Sequence, residues 1–154
     1  MFFETSIKRS FIIFDSISLT AAFATSSTDT TPVFPVGYKI ISNNKSIIYL
    51  PDIDSWDQWD IDILDVIREN DVLFLDGTFY NKNEIKHRNI EEIPHPSILD
   101  SMDRFQNLDV DHKKKIYFTH LNHTNNLLRK DSEEFKNIFS NGYNIANDGQ
   151  EVSI

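Results

Sequence analysis

The chain has 154 residues and a formal net charge of −9, from 15 Lys and Arg against 24 Asp and Glu. That length holds one domain with a sizeable core and is too short for two full-sized ones. The acidic balance opposes binding along nucleic acid or an anionic membrane. The absence of cysteine excludes disulfides, thiolate metal sites and cysteine nucleophiles.

Hydrophobic residues make up 40% and charged residues 25%, the balance of a globular chain. A metal would have to be held by His, Asp and Glu, so the five histidines carry diagnostic weight. Four glycines without GxGxxG or GxxxxGK[ST] exclude nucleotide cradles of those types.

Residues 1–31 form an atypical lead-in. Lys8 and Arg9 precede the apolar Phe11-Ile12-Ile13-Phe14, and Ala22-Phe23-Ala24 has the form of a cleavage site, the outline of a signal peptide. Asp15, Ser16, Ser18 and Thr20 dilute that outline, and a strand-like or poorly ordered lead-in is the competing reading. Cytoplasmic and exported locations both stay open. The stretch is too short and polar to span a bilayer as a helix.

Regular patterning starts at Pro32, so the domain is read over 32–154. Val36 to Ser42 and Ser46 to Leu50 read as strands joined at Asn43-Asn44. Pro51 ends the second. Asp54 is placed as N-cap of a helix carrying Trp56, Trp59, Ile63 and Val66 on one stripe. Asp71 to Leu75 is an apolar strand suited to a central position, stopping at Asp76-Gly77-Thr78. Asn81 to Glu92 is loop-like. Ser97 opens a helix with Ile98, Met102 and Phe105 on one face. Lys115 to Thr119 is a further buried strand, closed by His120. Asp131 to Glu134 has the form of a capping box before Phe135, Ile138 and Phe139, and Gly142 is a helix stop. Tyr143 to Ala146 and Glu151 to Ile154 are expected as a terminal hairpin around Asp148-Gly149. Short apolar strands alternating with amphipathic helices predict a layered α/β domain.

Asp52, Asp76 and His120 each follow a predicted strand, and His95 stands in Pro94-His95-Pro96 before a helix. Strand ends are where α/β domains build sites. Carboxylates and imidazoles suit a hard or borderline divalent ion, which lowers the pKa of bound water, while a further carboxylate or histidine moves protons. Each residue also has a plain structural reading: Asp52 and Asp76 as turn residues, His95 as part of a rigid loop. His87 and His112 lie in polar stretches and read as solvent-exposed.

Leu73-Phe74-Leu75-Asp76-Gly77-Thr78-Phe79-Tyr80, Ile93-Pro94-His95-Pro96, Tyr117-Phe118-Thr119-His120-Leu121-Asn122-His123-Thr124-Asn125 and Ile145-Ala146-Asn147-Asp148-Gly149 occur in that order. Together they resemble the C-terminal half of the metallo-β-lactamase fold, and most nearly the pyrroloquinoline quinone (PQQ) biosynthesis protein B family. The resemblance runs over about residues 35–154. It implies a metal-dependent hydrolase, with Asp52 and His120 as metal ligands and Asp76 and His95 as proton-handling groups. The implied cofactor is zinc, with manganese or iron as alternatives. His123 falls where that family more often has Asn, against a ligand role.

The superfamily's His-x-His-x-Asp-His motif is not present, since the first histidine is His87. Two ligands hold an ion weakly. The expectation is therefore an incomplete site with a weakly held or absent metal. The alternative is a non-catalytic remnant or a module that pairs with another chain. Half of a two-sheet sandwich also leaves one sheet face uncovered, so Val72, Phe74, Ile116 and Phe118 are expected to need cover, with self-association or pairing as the outcome.

Overall fold

The computed structural model describes residues 18–23, 36–59, 61–84 and 95–152. Phe11 to Phe14, Pro32 to Pro35, His87 and the last two residues of the expected hairpin lie outside these.

Six strands form one sheet in the order of the chain: β1 (Ser18–Phe23), β2 (Val36–Ser42), β3 (Lys45–Leu50), β4 (Val72–Asp76), β5 (Ile116–Thr119) and β6 (Asn144–Ile145). β1, β2 and β3 run antiparallel, and β3 to β6 run parallel. β1 falls inside the atypical lead-in and pairs with β2 from Val36 to Ile41. Asn43 and Asn44, at φ of 48° and 63°, make the two-residue β2–β3 turn, where both central positions need a left-handed backbone.

The helices are α1 (Ile63–Glu69), α2 (Ile98–Arg104), α3 (Val110–Lys113) and α4 (Glu133–Ser140). Sequential parallel strands joined by right-handed crossovers place their connecting helices on one face of the sheet. Accordingly Ile63 and Ile67 of α1, Ile98 of α2 and Ile138 of α4 share one core with Ile48, Leu50, Leu73, Leu75, Ile116 and Phe118. Each fully buried side chain there contributes about 1.5–3 kcal/mol of transfer free energy.

The other face carries a cross-strand row. Tyr38 lies opposite Tyr49, Tyr49 beside Phe74, and Phe74 beside Tyr117. The Tyr49–Phe74 and Phe74–Tyr117 ring centroids are 6.4 and 5.3 Å apart. Strand alternation corrects the expectation that four residues share an uncovered face. Ile116 and Phe118 point into the helix-covered core and are fully buried, while Val72 and Phe74 occupy the opposite face.

Three local expectations change. Asp54 caps nothing: Ser55 caps a single 3-10 turn at Trp56–Gln58, and Asp62 caps a separate α1. The expected long helix is therefore two pieces, because Ser55 and Asp62 each offer a side-chain acceptor to orphan backbone N–H groups. Ser132, one residue after Asp131, caps α4 by accepting from the Phe135 N–H. The expected terminal hairpin is replaced by β6 adding in parallel to β5, with no return strand among the described residues. Two other expectations stand as read. Ser97 opens α2, and the structure adds Asp100 as its reciprocal partner in a capping box. Gly142, at φ 85°, ends α4 with Tyr143 N–H bonded to Ile138 O and its own N–H to Phe139 O, the Schellman pattern.

Candidate functional site

The parallel strands β3, β4 and β5 end together, and the site is built on that edge. Pro51 cannot extend the β3 ladder, so the chain leaves the sheet there. It is pinned again at once by the Ile53 N–H, which donates to Asp76 Oδ2 at 3.1 Å. This places Asp52 over the end of β4 with its side chain 60% exposed.

Asp76 ends β4 and is fully buried. Its Oδ1 accepts from the Thr78 N–H at 2.8 Å and the Thr78 hydroxyl at 2.7 Å. Its Oδ2 accepts from Ile53 N–H and lies 2.7 Å from His95 Nδ1. Two of those groups are backbone N–H donors, one on each oxygen. Four donors fill the acceptor sites of an ionised carboxylate, so the environment holds a charge with no solvent contact.

His95 is delivered by α2. The Ile98 and Leu99 N–H groups donate to Phe79 O and Tyr80 O at 2.9 and 3.1 Å, tying the start of α2 to the segment after β4. The ring meets Phe79 edge-on with centroids 6.0 Å apart. Burial works against the imidazolium. The hydrogen bond and charge of Asp76, then the charges of Asp52 and Asp54, outweigh burial and raise the His95 pKa above its ordinary 6.5. Asp52 Oδ1 is 3.7 Å from His95 Nδ1.

His120 follows β5 with φ 60°, a left-handed backbone that a non-glycine residue adopts at a cost and that clusters at functional sites. Its Nδ1 is 3.0 Å from Thr78 Oγ1, and its ring centroid is 6.3 Å from that of His95. The Asp76–Thr78 turn comes this close because residue 77 is glycine. A Cβ there would stand 2.9 Å from Thr119 O and 3.0 Å from Phe118 Cβ. Buried Asn125 secures the turn, donating from Nδ2 to Gly77 O at 2.9 Å and Thr78 O at 3.2 Å.

The fold thus gathers Asp52, Asp76, His95 and His120 on one rim. His123 is exposed, and His112 is bound to Asp109 at 2.8 Å; neither joins the rim. Reading the residues one by one missed Thr78, Asn125 and the Ile53 N–H. The first two sit inside the Asp-Gly-Thr-Phe and His-x-Asn-x-Thr-Asn runs, which were the available signal. A cavity of about 650 Å³ opens beside His95, lined among others by Asp54, Trp56, Lys82, Asp100 and Asp103.

Asp52, Asp76 and His95 offer ligand atoms within 4.8 Å of one another. Oxygen and imidazole donors in that number suit zinc, manganese or iron(II). Asp76 is the least available of the three, since every acceptor position is taken. Asp52 and His120 are exposed and unencumbered at one carboxylate and one ring nitrogen. The converging donors Asp52, Asp76 and His95 are of the types a divalent ion takes, and His120 stands beside that group rather than within it, with Asp76 and His95 as an oriented carboxylate–imidazole pair.

A family model described as the Beta-lactamase superfamily domain matches residues 3–121. The matched span starts inside the segment that the sequence resemblance left out. The coenzyme PQQ synthesis proteins B of Acinetobacter baumannii strains SDF and ACICU are each 24% identical over 115 residues, covering 71% of this chain and 37% of the relative. The chain thus spans little more than a third of the curated relatives it matches. The Zn(2+)-bound PqqB crystal structure from Methylobacterium extorquens superposes with a TM-score of 0.64 at 19% identity, over 90% of this chain and 50% of that one.

Proposed function

The chain belongs to the beta-lactamase superfamily domain family, and on that premise we infer that it carries a divalent-metal hydrolytic site of the kind found in metallo-β-lactamase folds, related to that of the PQQ synthesis proteins B. The observation that carries this reading is the convergence of Asp52, Asp76, His95 and His120 at the ends of β3, β4 and β5. Asp52 and His120 would hold the ion, which when bound supplies an activated water and polarises the scissile group. Asp76 holds the His95 imidazole by its Nδ1 and favours its protonated form, which suits His95 to deliver a proton to a leaving group. Zinc is the first choice of ion, and the relative's zinc-bound structure supports it.

These residues contain no His-x-His-x-Asp-His motif, so on their own they would hold the ion by few ligands and weakly. That observation favours a second reading, a non-catalytic module that pairs with another chain. The row of Tyr38, Tyr49, Phe74 and Tyr117 on the sheet face opposite the described helices supports it, because Tyr38 is exposed and the other three are part-exposed. No helix among the described residues is long and apolar enough to cross a membrane.

Turnover of an activated phosphodiester such as bis(p-nitrophenyl) phosphate, with zinc, manganese or iron(II) added, tests the first reading. Metal-dependent hydrolysis that falls about 10²-fold or more in His95→Ala supports it. Metal-independent background rates in both proteins would favour the pairing module.

A further inference from the structure

Thr78 has a geometry that the proton-handling and metal-ligand roles do not use. Its Oγ1 stands 2.7 Å from Asp76 Oδ1 and 3.0 Å from His120 Nδ1. A hydroxyl has one proton to give and can accept on its lone pairs. Asp76 Oδ1 also takes the Thr78 N–H, and Oδ2 takes Ile53 N–H, so both carboxylate oxygens act as acceptors. The hydroxyl proton therefore goes to Asp76, and toward His120 the Thr78 oxygen can only accept. That requires the proton of neutral His120 to sit on Nδ1, which leaves Nε2 as the unprotonated nitrogen.

We propose that Thr78 is a positioning residue: it couples buried Asp76 to His120 and fixes the His120 tautomer with Nε2 free to ligate. The architecture supports the coupling at each step. Gly77 permits the close approach to β5, Asn125 holds the carbonyls of residues 77 and 78, and the Asn122 N–H donates to Thr78 O at 3.0 Å. These contacts are made by the backbone of residues 77 and 78, so they survive a change of the Thr78 side chain. His120 keeps a left-handed backbone at the same place, as expected where surrounding contacts over-determine a residue. A metal-bound histidine with its other nitrogen held by an outer partner is a recurrent arrangement, and losing the partner weakens binding about 10–100-fold. The ligand role of His120 rests on the functional reading above; the tautomer does not.

The experiment is a nitrogen–proton correlation spectrum of the histidine side chains in the metal-free full chain, at a pH of about 8.5 where an ordinary imidazole is neutral. The expected result is Nδ1–H for His120 in the wild type and in Thr78→Ser, and a shift toward Nε2–H in the near-isosteric Thr78→Val. Nε2–H in the wild type, or no shift in Thr78→Val, overturns the proposal. The wild-type spectrum alone decides it if Thr78→Val does not fold. Zinc titration is the second arm, with affinity expected to fall about 10–100-fold in Thr78→Val and to recover in Thr78→Ser. Unchanged affinity in Thr78→Val also overturns it. A wild-type chain that binds no zinc yet shows the Nδ1–H form contradicts the hydrolytic reading and leaves the role of Thr78 standing.

Discussion

Replacing Asp76 with Asn separates a buried charge that organises the site from a turn residue that happens to be near it. The carboxylate receives one backbone N–H on each oxygen, from Thr78 on Oδ1 and from Ile53 on Oδ2. An amide has one oxygen and one NH₂ group, so either orientation turns a donor toward one of those N–H groups. The Thr78 hydroxyl can rotate and His95 can shift its proton, but a backbone N–H cannot adapt. One buried unpaired donor costs about 1–3 kcal/mol, and the remaining bonds lose their charge assistance, about 1 kcal/mol more. The expected loss for Asp76→Asn is about 2–4 kcal/mol. At about 2–4 °C per kcal/mol for a domain of this size, the melting temperature falls by roughly 5–15 °C. Urea unfolding gives the free energy directly, with an unchanged m-value marking an unchanged fold. A loss under about 0.5 kcal/mol would show that Asp76 is not the anchoring acceptor described above, since such a value is ordinary for an exposed substitution.

Gly77→Ala places a Cβ 2.9 Å from the Thr119 carbonyl and 3.0 Å from Phe118 Cβ; a thermal melt should show about 1–3 kcal/mol of destabilisation, and an unchanged melt refutes the close approach. His95 has a folded pKa above its ordinary 6.5, so its contribution is present in full below that value and is lost as pH rises through the folded one. The cost of His95→Gln, measured by urea unfolding between about pH 5 and 8, should accordingly be greatest at the acid end; a cost that grows with pH contradicts the Asp76–His95 pairing. Tyr143 is buried with an unpaired hydroxyl, and burial raises its pKa to about 12. This shift penalises only the phenolate, so it has no cost below the ordinary value of 10, and stability falls as pH rises from there through the folded value. Tyr143→Phe should be neutral or more stable by up to about 1 kcal/mol at pH 7 and less sensitive to alkali; a loss above that reveals a partner for the hydroxyl.

The strands that position the site were legible because their local signals agree with their surroundings. Val72 to Leu75 is apolar on both faces, as a central parallel strand requires, and Asn43-Asn44 names its own turn. Ser97 announced α2 because an N-cap hydroxyl is local chemistry. The split between the turn at Trp56 and α1 was hidden, since Trp56, Trp59, Ile63 and Val66 keep helical spacing across the break. Only the competing caps Ser55 and Asp62 reveal it. The parallel addition of β6 was equally hidden, because its pairing with Tyr117 and Phe118 is decided by a strand far away in the chain. The convergence of Asp52, Asp76, His95 and His120 could be argued from strand ends. The bonds that complete it come from Thr78, Asn125 and a backbone N–H at Ile53, for which residue type alone carries no functional signal.

The most direct test of the account is equilibrium dialysis of the purified chain against a series of free zinc concentrations, with Asp52→Ala, His120→Ala and, as a control away from the rim, His112→Ala. One saturable ion per chain is expected, weakened at least about tenfold in Asp52→Ala and His120→Ala and unchanged in His112→Ala. No saturable binding, or binding indifferent to Asp52 and His120, would contradict it.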